Sequence, residues 1–234
     1  AGLLQSDLEP NVIACSAVIS ACEKGEEWRK ALSELREMQE NMLEPNMISF
    51  CATISAGGKG NQWQQALALF ADLSINSFEP QVIPYNAVTT ACEKCAEWHR
   101  ALNLMQEMHM DGLELDVITY SAAIAACEKG EEWARALALL RVMKQSELQP
   151  NVITYSAAIS ACGKLGQWEL AFIVLMEMRD QALEPNMISY GAVISACGKR
   201  KLWSRALCVL VDMQQQHIDA SVITYNAAIS ACEQ

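Results

Sequence analysis

The chain has 234 residues, 52% of them hydrophobic and 19% charged, with 11 Gly and 6 Pro. That balance can bury a core and excludes a disordered tail or a collagen-like rod, while Lys, Arg, Glu or Gln breaks every apolar run short of a membrane span. The formal net charge is −11, which weighs against a nucleic-acid binder that is basic throughout.

In chain order, residues 1–11 read as the tail of a repeat that begins upstream. A pattern then starts at Val12 and returns every 35 residues. The only tryptophans, Trp28, Trp63, Trp98, Trp133, Trp168 and Trp203, keep that step, and so do Lys24, Lys59, Lys94, Lys129, Lys164 and Lys199. Cysteine follows at Cys22, Cys92, Cys127, Cys162, Cys197 and Cys232, with Gly57 in the one vacancy; Pro10, Pro45, Pro80, Pro150 and Pro185 close most repeats. The array is therefore read as six whole repeats, 12–46, 47–81, 82–116, 117–151, 152–186 and 187–221, and 222–234 as the first helix of a further one. Internal repetition at this period is the signature of a solenoid.

Each repeat is predicted to hold two helices. In the fourth, Tyr120, Ala123, Ile124 and Cys127 share one face of the first helix, and Trp133, Ala136, Leu137, Leu140 and Met143 one face of the second. Ser49, Thr119, Thr154, Ser189 and Thr224 are read as N-caps of the first helices, Glu131 and Glu132 as dipole partners of the second, Pro84 as a first-turn proline and the closing prolines as helix stops. The tryptophans are read as core filler that anchors the second helix, with the indole N–H near the turn. A pair of this length cannot bury its apolar stripe alone, so the expected fold is all-α, a right-handed α-solenoid (superhelix) of helix-turn-helix repeats with one concave surface.

Function is sought on the first-helix face that stays out of the core. Ile118, Ser121, Ala125 and Lys129 form that stripe in the fourth repeat. Isoleucine opens it every time, at Ile13, Ile48, Ile83, Ile118, Ile153, Ile188 and Ile223. These side chains either pack between neighbouring helices or form a ladder of apolar wedges between which flat rings stack. The next residue along the stripe varies through Ser16, Cys51, Asn86, Ser121, Ser156, Gly191 and Asn226, as a specificity position does. The lysines close the stripe, either as a solvated face or as a charged line able to follow a phosphate backbone. Glu23, Glu93 and Glu128, directly before their lysines, weaken that potential. Glu37, Asp72, Glu107, Glu177 and Asp212 sit late in the second helix, away from the lysine line, so charge is expected to be segregated and nucleic-acid binding weak and salt-sensitive.

Val-Ile-Thr-Tyr-Ser at 117–121, Cys-Glu-Lys-Gly at 127–130, Ala136, Met143 and the closing Pro150-Asn151 resemble the pentatricopeptide repeat family of organelle RNA-binding proteins, and the resemblance covers the chain. It implies that the isoleucines sandwich bases, that the fifth and last residues of a repeat read the base edge, and that the lysines approach phosphate. The implied reading pairs are Ser16 with Asn46, Asn86 with Asp116, Ser121 with Asn151 and Ser156 with Asn186. Cys51 with Gln81 and Gly191 with Ser221 depart from familiar pairs, and Asn226 belongs to the partial repeat. Ser with Asn resembles an adenine reader and Asn with Asp a uracil reader, so the implied target is 5′-A-N-U-A-A-N-3′. Changing Asn86 and Asp116 to serine and asparagine is expected to move the third base from U to A. The same resemblance implies single-stranded RNA as partner, with room for protein partners, a monomer, no membrane, and a chloroplast or mitochondrial role in RNA processing, stabilisation or translation.

The alternative is a scaffold for an extended peptide, as in tetratricopeptide repeats, whose period is 34 residues. Catalysis has no candidate: His99, His109 and His217 lack the glutamate of a deaminase signature and read as surface residues. No cofactor is expected. Cysteines on stacked helices ~8–10 Å apart lie beyond disulfide reach, Cys92 and Cys95 alone make a poor metal site, and so many thiols fit a reducing compartment.

Overall fold

A computed structural model describes residues 11–75 and 81–232; Pro10, Pro80 and most of the N-terminal tail lie outside the described residues. The chain forms two compact units, Ala1–Leu115 and Asp116–Gln234. The first holds α1 (Val12–Lys24), α2 (Trp28–Glu40), α3 (Met47–Lys59), α4 (Trp63–Ile75), α5 (Val82–Lys94) and α6 (Trp98–Met110). The second holds α7 (Val117–Lys129), α8 (Trp133–Gln145), α9 (Val152–Lys164), α10 (Trp168–Asp180), α11 (Met187–Lys199), α12 (Trp203–Gln215) and α13 (Val222–Cys232). No strand occurs among the described residues. Each unit is a helical-repeat solenoid: α1, α3 and α5 pack side by side, as do α7, α9, α11 and α13, while each second helix lies against its own first helix and, within a unit, against the first helix that follows it.

The packing follows the apolar spacing. Tyr120, Ala123, Ile124 and Cys127 are buried, and so are Ala136, Leu140 and Met143 on the facing helix. Tyr155, Tyr190 and Phe50, all fourth in their first helices, are the bulkiest fully buried side chains.

The first helices are capped one turn earlier than the sequence implies. Asn46, Asp116, Asn151 and Asn186 are the N-caps, each in extended backbone with its side-chain oxygen accepting from the N–H three residues on. Ser49, Thr119, Thr154 and Ser189 stand inside the first turn, where their hydroxyls add a second donor to the same oxygen. An amide or carboxylate oxygen reaches the N3 N–H better than a hydroxyl on the N3 residue can. Nor do the closing prolines end the second helices. Met42, Glu147, Ala182 and His217 turn left-handed, with φ from 54° to 58°, and the next N–H bonds back to a methionine carbonyl, as in Leu43→Met38 and Leu148→Met143. That is the bond of a Schellman ending; Pro45, Pro150 and Pro185 come only after it.

The tryptophans are not core filler. Each opens a second helix, where the first residue sits at the rim of the layer: Trp28, Trp63, Trp98, Trp133 and Trp168 are half-buried and Trp203 is exposed. Arg100 lies 5.8 Å over Trp63 and Arg205 4.7 Å over Trp168, cation–π contacts from one repeat to the last.

Candidate functional site

The second residue of every first helix points away from the core, because the large side chain that fills the core in most repeats, such as Phe50, Tyr120, Tyr155 or Tyr190, lies two positions later, about 200° around the helix. Ile13, Ile48, Ile83, Ile118, Ile153, Ile188 and Ile223 are accordingly 58–80% exposed, so packing between neighbouring helices does not account for them. Each unit thus carries its own open row of branched apolar side chains, on α1, α3 and α5 in one and on α7, α9, α11 and α13 in the other.

Beside these rows, the structure joins paired polar side chains through a hydroxyl. Ser16 Oγ lies 2.6 Å from the Val12 carbonyl, 2.8 Å from Ser49 Oγ and 3.4 Å from Asn46 Oδ1. Ser121 Oγ lies 2.6 Å from Thr154 Oγ1, which donates to Asn151 Oδ1 at 3.0 Å. Ser156 Oγ is 2.9 Å from Ser189 Oγ, which donates to Asn186 Oδ1 at 3.2 Å. The bridging hydroxyls were legible as recurring Ser or Thr in register, but not as bridges, since the spacing shows only their own helix.

Capping decides what the asparagines present. The helix offers only N–H donors, so Asn46, Asn151 and Asn186 turn the carbonyl oxygen inward and leave the amide NH₂ as the outward group. Asp116 caps α7 through Oδ1, with a carboxylate, which only accepts, where the other caps carry an amide. Gln81 makes no cap bond and is exposed. Its helix carries Pro84 at the third position, where the missing N–H removes the donor a cap would take.

The remaining candidates differ in access. Asn86, Cys51 and Gly191 are half-buried and Asn226 is exposed; burial pushes the Cys51 thiol up to about 11, keeping it neutral. Ser221 Oγ accepts from the Thr224 N–H at 3.2 Å.

The lysines do not form one uniform line. Lys59 Nζ is 3.2 Å from Glu23 Oε1 and donates to the Glu23 carbonyl at 3.0 Å. Lys164 repeats this with Glu128, at 2.8 Å and 3.1 Å. Lys199 donates to the Lys164 carbonyl. Lys24, Lys94, Lys129 and Lys199 are exposed. On the second helices Lys144 pairs with Glu177 and Arg179 with Asp212, which neutralises acids on the far side from the isoleucine rows.

All ten cysteines are free thiols, and the three histidines are exposed. Among the described residues no three His, Cys, Asp or Glu side chains gather as metal ligands, and no helix is long and apolar enough to cross a membrane.

Comparison with known proteins adds family and fold. The pentatricopeptide repeat domain matches residues 3–60 and 103–165, the PPR repeat family residues 152–199, and the PPR repeat residues 83–113 and 188–218. No curated protein matches. Among solved structures, the maize pentatricopeptide repeat protein PPR10 is 24% identical with a TM-score of 0.71 over 99% of this chain and 33% of its own. PPR10 in complex with an 18-nt psaJ RNA element is 19% identical with a TM-score of 0.64, over 97% of this chain and 38% of its own. The PPR domain of Arabidopsis thaliana protein-only RNase P 1, in complex with tRNA, is 16% identical with a TM-score of 0.65, over 76% of this chain and 94% of its own. The chain spans about a third of the maize protein's length. At these identities the likeness establishes the fold.

Proposed function

Because the chain belongs to the pentatricopeptide repeat family, we propose that it binds single-stranded RNA along the open faces of its first helices, one base per repeat. The observation that carries this is the exposed isoleucine one turn before Ser16, Ser121 and Ser156, each of which is joined to an asparagine: an apolar edge able to stack on a base ring, on the same helix face as hydrogen-bonding groups able to meet a Watson–Crick edge. Two of the solved neighbours hold RNA, an 18-nt psaJ element in one and tRNA in the other.

The outward groups agree with the base choice. An NH₂ from Asn46, Asn151 or Asn186 suits the ring-nitrogen acceptor of adenine, whereas the carboxylate of Asp116, which only accepts, suits the ring N–H of uracil. With repeats 12–46 through 187–221 in order, the target is 5′-A-N-U-A-A-N-3′, and the setting is RNA processing, stabilisation or translation in an organelle. The test is the double variant Ser121→Asn, Asn151→Asp, in which aspartate keeps the cap as Asp116 does. In a binding array the fourth base should move from A to U by about 1–3 kcal/mol of discrimination; binding that persists with no change at that base defeats the code.

A protein partner on the second helices is the second reading, favoured by Phe172, Ile173 and Met176 on α10 and Leu207 and Val211 on α12, all large apolar side chains left exposed. A peptide library beside the RNA array separates the two.

A further inference from the structure

Three side chains recur as one device. The Glu23 carboxylate accepts Ser55 Oγ–H at 2.7 Å and faces Lys59 Nζ at 3.2 Å. Three repeats later the Glu128 carboxylate accepts Ser160 Oγ–H at 2.9 Å and faces Lys164 Nζ at 2.8 Å. One hydroxyl and one ammonium converging on an anionic oxygen is also the donor set that holds a phosphodiester.

At the following junction in each unit a glycine replaces the glutamate. A Cβ on Gly58 would stand 2.7 Å from Ala91 Cβ, and one on Gly163 2.6 Å from the Ala192 carbonyl oxygen, so the adjacent helices leave no room for a side chain there. The lysines at these junctions have no carboxylate. Lys94 is exposed, forms no ion pair among the described residues, and borders a cavity of about 170 Å³ with Gly58, Asn86 and Thr90. Lys199 bonds only to a backbone carbonyl and is exposed.

We propose that Glu23 and Glu128 are built-in phosphate mimics: they occupy the lysine sites at their own junctions, so that the RNA backbone is gripped at the glycine junctions by Lys94 and Lys199. This rests on the RNA-binding reading and sharpens it. Of the four lysines at the junctions within the units, two rather than all four then contribute to the salt dependence of a chain of net charge −11.

The experiment is a salt titration of single-stranded RNA binding by fluorescence anisotropy, on the whole 234-residue chain. Removing two phosphate contacts flattens the slope of log K against log salt by about 1.4, so Lys94→Ala with Lys199→Ala should do so. Lys59→Ala with Lys164→Ala should leave the slope alone and lower Tm instead. Glu23→Gln with Glu128→Gln, which keeps shape and the serine bond while freeing two lysines, should steepen the slope by about 1.4. Equal flattening by both lysine pairs, or an unchanged slope in the glutamine variant, overturns the proposal while RNA binding stands. If Lys59→Ala with Lys164→Ala does not fold, the glutamine variant alone decides. A wild-type chain that binds no single-stranded RNA at any salt overturns the RNA reading and this proposal together.

Discussion

Tyr155 and Tyr190 are fully buried, and their hydroxyls face acids on the second helix of the same repeat, Glu177 at 3.5 Å and Asp212 at 2.9 Å. Burial first, then the neighbouring carboxylate, pushes both phenols up to about 12. Burial likewise pushes the thiols of Cys127 and Cys162 up to about 11 and that of Cys92 to about 12. In the unfolded chain such thiols ionise from about pH 8.5 and phenols from about pH 10. Above those values the unfolded state has released protons that the folded state still holds, so stability falls as pH rises, and below them it is intact. Tm measured by circular dichroism should be level to about pH 8 and decline towards pH 11, the decline above pH 10 being shallower in Tyr155→Phe with Tyr190→Phe. A Tm that holds or rises over that range would show these groups to be open to water.

A first helix owes its start to a single side chain, and the array contains both the rule and its exception. Asn151 accepts from the Thr154 N–H and from its hydroxyl, both at 3.0 Å, so Asn151→Ala should cost about 1 kcal/mol by denaturant titration. Gln81 accepts nothing, and Gln81→Ala should cost nothing measurable. Pro84 is the cause, since it withholds the third N–H of α5. The same contrast bears on the proposed reading of RNA: side chains that cap are held in one orientation and would present one fixed group, whereas Gln81 is not held by its helix.

At the scale of the array, each repeat is supported chiefly by its neighbours, so damage should stay local. Gly163→Ala puts a methyl 2.6 Å from the Ala192 carbonyl oxygen, an overpacking worth about 1–3 kcal/mol. Hydrogen exchange should then speed up in α11 and α13 while α7 keeps its protection; uniform loss across α7–α13 would mean that the second unit unfolds as one block. Electrostatics is arranged at this scale too. Lys144–Glu177 and Arg179–Asp212 span successive second helices, so acids paired there lie on other helices than those proposed to meet RNA.

Sequence periodicity by itself determined the helix pairs, their order, the buried stripes and the residues that stay out of them, because a 35-residue step and a 3.6-residue turn leave each position one face to occupy. It also placed the isoleucines and lysines in register. It misjudged the caps, the helix ends and the tryptophans, each of which depends on which of several nearby groups reaches a donor or a ring first. Only the tertiary structure decided that the isoleucines are open rather than interleaved, that Ser121 meets Asn151 through Thr154, and that Lys59 is spent on Glu23 while Lys94 is not. Those are contacts between residues some 30 positions apart in the chain. Their geometry comes from how closely one helix lies on the next, which at Gly58 and Gly163 is set by the absence of a side chain.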